Sequence, residues 1–99
     1  MIEELNNEIK LYNDLLDAYN KLISTDYVTA YELARDSLSL ADRWNEIMLN
    51  SIKYSKELKY TKSEFTNYCY QKYKILMKIH DICRCIWRQG EENQRFIGV

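Results

Sequence analysis

Proline is missing from this chain, and glycine occurs only twice, at Gly90 and Gly98. Residues 1–89 therefore lack both of the strong backbone breakers. A β-sandwich or barrel needs turn residues about every 8–12 positions, and a Rossmann unit or P-loop needs glycines at its phosphate turn. Both are excluded. No apolar run approaches the roughly 18 residues of a membrane span, and the opening Met1-Ile2-Glu3-Glu4 does not read as a secretory signal. The three cysteines, Cys69, Cys83 and Cys85, are odd in number and have no framework spacing. They are expected to be reduced thiols in a cytoplasmic protein without membrane contact. With 46% apolar and 29% charged residues over 99 positions, the chain reads as one folded, all-α domain.

What is present is periodicity. Ile2, Leu5, Ile9, Tyr12, Leu16, Tyr19 and Ile23 recur at alternating spacings of 3 and 4, the seam of an amphipathic helix. Ser24-Thr25-Asp26 ends it with turn formers. Thr29-Ala-Tyr-Glu32 then has the form of a capping box. A long seam follows: Leu40, Trp44, Ile47, Ser51, Tyr54, Leu58, Thr61, Phe65, Tyr68, Lys72, Ile75, Ile79, Ile82 and Ile86. A second stripe, Cys69, Tyr73, Leu76, His80, Cys83 and Trp87, runs beside it.

Helices are thus predicted at about 2–23, 30–59 and 61–89, with residues 90–99 a C-terminal tail and Gly90 a helix cap. Thr61-x-x-Glu64 is a further capping-box match that argues for a break near Tyr60, whereas the unbroken register argues for one continuous helix. A helix from 40 to 86 would be roughly 70 Å long, against a radius of gyration of about 13 Å for a compact domain of this size. The chain either folds back near Tyr60 as an elongated hairpin or three-helix bundle, or leaves its seam to another subunit. The seam residues expected to carry a homo-oligomer are Leu40, Trp44, Ile47, Tyr54, Leu58, Phe65, Ile75, Ile79, Ile82 and Ile86.

Net charge is only −1, but it is divided unevenly. Residues 1–49 hold ten acids against four bases, and residues 50–89 hold nine bases against three acids. Such asymmetry points to an anionic partner or to self-association. Lys53, Lys56, Lys59 and Lys62 step by three, and Lys74, Lys78, Arg84 and Arg88 extend the positive character. Tyr54, Tyr60, Tyr68, Tyr70 and Tyr73 are interleaved with them. Lysines that follow phosphates and aromatic faces that stack bases are the means of sequence-independent single-strand binding.

Chemistry of other kinds finds little support. His80 and Cys83 share a helix face, but Cys69 lies about 16 Å away along the axis, and Cys85 points elsewhere. No metal or cofactor is expected. The single histidine sits in an apolar stripe, and no nucleophile stands beside a base, so no enzymatic activity is expected.

The stretch Tyr31 to Tyr73, with Ala34, Trp44, Ser51-Ile52-Lys53 and the following Lys/Tyr-rich run, resembles the central helix of the UvsY-type recombination mediators of tailed phages. Arg88-Gln-Gly and Arg95-Phe96-Ile97-Gly98 resemble the ending of that family. The chain is shorter than those proteins, lacks their polar insertion between helices, and has a compressed ending. The resemblance implies a small helical ring-former that binds single-stranded DNA and helps a recombinase displace single-strand-binding protein. Lys53 to Lys62 would then line the DNA path, and the terminal segment would serve assembly. Two other classes stay open: an inhibitor of a host defence enzyme, encoded by a phage or plasmid, whose acidic residues 1–49 mimic DNA, and a purely structural or immunity-type bundle.

Overall fold

The structure is a computed structural model that describes the backbone of residues 2–97 and the side chains of residues 3–92. Four helices follow one another: α1 (Ile2–Asn20), α2 (Tyr27–Leu49), α3 (Ser51–Leu58) and α4 (Lys62–Ile97). The shape is a rod of 59 × 18 × 16 Å. α2 and α3 form one arm of a hairpin, α4 forms the other, and α1 lies mainly along α2.

The chain does fold back near Tyr60. Lys59 adopts a left-handed backbone (φ 59°, ψ 24°) at the end of α3, which turns the chain out of the helix at a strain cost that a non-glycine residue must bear. The capping box then starts α4: Glu64 N–H donates to Thr61 Oγ1 at 3.1 Å, and Thr61 N–H donates to the Glu64 carboxylate at 3.4 Å. These bonds satisfy donors that a helix start otherwise leaves open.

Four boundaries differ from the sequence expectation. α1 ends at Asn20 rather than near residue 23, and Ile23 of its expected seam is 67% exposed. α2 starts three residues early, because Asp26 rather than Thr29 is its cap. The Asp26 carboxylate accepts from Thr29 N–H at 3.1 Å and from Thr29 Oγ1 at 2.6 Å. The arm is also interrupted at Asn50, where the side-chain amide donates to the Glu46 carbonyl (3.0 Å) and competes with the helix ladder. Finally, Gly90 does not cap α4, which continues to Ile97. Gly90 is buried, and a Cβ built there would lie 2.6 Å from Cδ1 and Cδ2 of the Tyr27 ring. It is a site of close approach, not a stop.

The two lines of buried residues on α2 have different characters. Ala30, Ala34, Ser37 and Ala41 form a small-residue stripe at 4, 3, 4 spacing, while Leu33, Leu40, Trp44 and Ile47 form a bulky one. Leu33 and Leu40 border α1 beside Leu11 and Leu15. On α4 the buried line is Phe65, Cys69, Leu76, Ile79, Cys83 and Gly90. It takes residues from both predicted stripes. Ile75 and Ile82, placed in the seam by spacing, are 41% and 36% exposed. Trp44, fully buried, joins three helices through edge contacts with Tyr12 (6.4 Å) and Tyr68 (6.1 Å).

The seam is therefore largely covered within one chain. Leu40, Trp44, Ile47, Phe65 and Ile79 are buried, and Tyr54, Leu58 and Ile86 are half-buried. Replacing Trp44 with Ala should destabilise the fold by about 3–5 kcal/mol in denaturant titrations. Gly90→Ala, which raises intrinsic helix propensity, should instead lower stability by about 1–3 kcal/mol through overpacking against Tyr27. An unchanged midpoint for either variant contradicts the packing described.

Candidate nucleic-acid interface

The eight basic residues singled out by sequence are all exposed, but they do not form one ridge. Lys53 and Lys56 lie on α3, Lys59 is the left-handed residue of the turn, and Lys62 opens α4. The helical step-by-three expected for them is broken at Lys59. Lys53, Lys56 and Lys62 still meet, bordering one shallow groove of about 580 Å³ that also includes Ile52, Asn50 and Glu57. A basic cluster at the tip of the hairpin replaces the straight ridge.

Lys74, Lys78 and Arg88 fall on the side of α4 roughly opposite its buried line, with Arg84 on the flank. Asp81 interrupts this second group. The two groups share a molecule but not a single surface.

The tyrosines divide likewise. Tyr54 stacks on Phe65 at 5.7 Å, and Tyr68 lies against Phe65 and Trp44. Burial raises the pKa of both hydroxyls, and the carboxylates of Glu4 and Glu8 push Tyr54 further the same way. Tyr68 sets one side against Phe65 and Trp44 while staying 40% exposed, Tyr54 is committed to the core, and Tyr73 is half-buried against it. Tyr60 (57% exposed) and Tyr70 (45%) stand clear of it. Tyr70 carries the Lys74 ammonium 5.5 Å from its ring centre. A ring and a cation side by side on an exposed helix face are the two kinds of group that single-strand binding employs.

Lys72, a seam position by spacing, has a different role. Its ammonium lies 4.1 Å from the Tyr12 ring centre, 4.6 Å from that of Tyr68 and 5.7 Å from that of Trp44. Partial burial lowers its pKa, while the three negative ring faces favour the cation. The signal in the sequence was a lysine recurring among aromatics at core spacing.

Other reactive groups are held quietly. Burial pushes the Cys69 thiol up to about 11 and raises that of Cys83, so neither is a thiolate at neutral pH. His80 Nδ1 lies 2.7 Å from the Ala34 carbonyl oxygen across the hairpin. A carbonyl only accepts, so Nδ1 carries the proton in this bond. Among the described residues, no three His, Cys, Asp or Glu side chains converge as metal ligands, and no helix is long and apolar enough to cross a membrane. The side chains of Arg95, Phe96 and Ile97, expected to serve assembly, lie outside the described residues.

The chain matches no family model, no curated protein and no solved structure.

The aromatic enclosure makes Lys72 unlike its exposed neighbour. Lys72→Ala should lower stability about 1 kcal/mol more than Lys74→Ala, through lost stem packing and lost cation–π contact. Equal melting temperatures for the two variants would remove the enclosure from the account.

Proposed function

We propose that this chain is a small non-enzymatic accessory protein that binds single-stranded DNA, assembles into a homo-oligomer, and acts beside a recombinase. The observation that carries the reading is the segregation of charge. Acids dominate α1 and α2, whereas exposed lysines and arginines gather on α3 and α4 together with the exposed Tyr60 and Tyr70. Cations alone attract any polyanion, but rings beside cations favour a strand with free bases. The resemblance to the phage recombination mediators supports the same reading.

Support for self-association is narrower than the sequence seam. Tyr68, Ile75 and Ile82 recur every seven residues along α4 and stay 36–41% exposed. An apolar line of this kind is a natural contact for a second copy. Light scattering at micromolar concentration should return a mass above one chain, lowered towards 12 kDa by Ile75→Lys with Ile82→Lys.

Binding of a 30-nucleotide strand, followed by fluorescence anisotropy, should weaken steeply with salt. For about four phosphate contacts per subunit, the slope of log K against log salt is near −3. Lys56→Glu together with Lys59→Glu should weaken binding to all oligonucleotides alike and flatten that slope, with helix content intact. Tyr70→Ala should weaken single strands but leave binding to an acidic polymer of equal charge density unchanged. No binding at about 50 mM salt overturns the reading and favours the exposed acids of α2, Glu32, Asp36 and Asp42, as the working surface of an inhibitor.

A further inference from the structure

The junction of α2 and α3 carries an apolar surface that the DNA reading does not use. Leu49, the last residue of α2, is 75% exposed, and Ile52, three residues on, is 54% exposed. Scattered exposed aliphatics are ordinary. These two are not scattered, because both border the shallow groove that Lys53, Lys56 and Lys62 also line. Glu57 is the one acid among its described lining residues.

Patterning on α3 is inverted. Its buried positions are Ser51 and Ser55, with Tyr54 and Leu58 half-buried, whereas its one isoleucine faces outwards. The Ser55 hydroxyl is satisfied locally, donating to the Ile52 carbonyl at 3.2 Å. Packing within the chain therefore gives Ile52 no reason to be apolar. The same holds for Leu49, which lies off the buried line of α2.

We propose that this patch docks on the surface of an anionic lipid bilayer. Leu49 and Ile52 enter the boundary between headgroups and acyl chains, and Lys53, Lys56 and Lys62 rest on the phosphates. The mixture of groups selects the occupant. A nucleic-acid backbone offers the lysines their phosphates but leaves both aliphatics in water. A dry apolar protein face would cover the aliphatics but strip water from the ammonium groups beside them. A bilayer interface supplies anionic headgroups and acyl chains within about 5–10 Å of depth. Long lysine stems let the charges stay at headgroup level while their neighbours go deeper. The contact is peripheral and needs no spanning helix. It departs from the expectation of no membrane contact, which rested on the lack of a span. The lysines would serve DNA as well, but the aliphatics belong to this surface alone.

The test is co-sedimentation of the full chain with lipid vesicles at low salt. Binding to equal parts of phosphatidylglycerol and phosphatidylcholine is expected, with none to phosphatidylcholine alone. Leu49→Gln with Ile52→Gln, at exposed positions and compatible with a helix, should weaken it about tenfold or more. Circular dichroism should be unchanged by that pair. Lys53→Gln with Lys56→Gln should cost about fivefold for each lysine. Leu38→Gln, on α2 outside the groove and 39% exposed, should change nothing. The aliphatic pair should leave binding to the single strand as it was, so either reading can fail without the other. Three results overturn the proposal: no preference for anionic vesicles, vesicle binding unaltered by Leu49→Gln with Ile52→Gln, or a lipid-free mass in light scattering that falls with that pair, which would assign the patch to a second copy.

Discussion

The close approach of α2 and α4 is the constraint on which the other contacts depend. Two long helices can come near along most of their length only if the facing residues are small at regular intervals. Ala30, Ala34, Ser37 and Ala41 supply this on one arm, and Cys69, Cys83 and Gly90 on the other. The bond between His80 and the Ala34 carbonyl, side chain to backbone across the hairpin, measures how near they are. Once the small faces are used for the hairpin, the bulky line of α2 is left over, and α1 is the element that covers it. Trp44 marks the place where all three helices meet, and Lys72 closes the aromatic cluster from the solvent side.

That constraint explains which parts of the fold were legible. Helical class followed from the missing prolines and glycines, whereas the turn at residues 59–61 stood as one of two readings, signalled by Thr61-x-x-Glu64 against an unbroken register. The choice of buried face was not legible. Spacing places Ile75 and Ile82 in the main seam and Cys69 and Cys83 in the stripe beside it, without saying which faces α2. The buried line takes Cys69 and Cys83 between Phe65, Leu76 and Ile79, and leaves Ile75 and Ile82 outside. Gly90 was misread for the same reason. A glycine near the end of a periodic run looks like a cap, and only the Tyr27 ring beside it reveals a packing role.

The candidate sites were legible in type rather than in arrangement. The lysines and arginines are exposed as surface charges should be, but Lys59 turns the chain and breaks their line. The tyrosines could not be sorted by spacing, because Tyr54 and Tyr68 differ from Tyr60 and Tyr70 in what lies opposite them, which is a tertiary fact.

The hairpin also decides the direction in which charge is separated. An acidic first half and a basic second half would place opposite poles at the two ends of an extended rod. Folding at Lys59 lays α4 alongside α2 instead, so much of the separation runs across the 16–18 Å thickness rather than along the 59 Å length. A body polarised in that way offers a charged polymer the flank of α4 that carries Lys74, Lys78 and Arg88 as well as the basic cluster at its tip. Its thickness exceeds the Debye length of about 8 Å at physiological salt, so the far acidic flank is screened from anything lying on the basic one. The two flanks can therefore meet oppositely charged neighbours at the same time with little mutual interference.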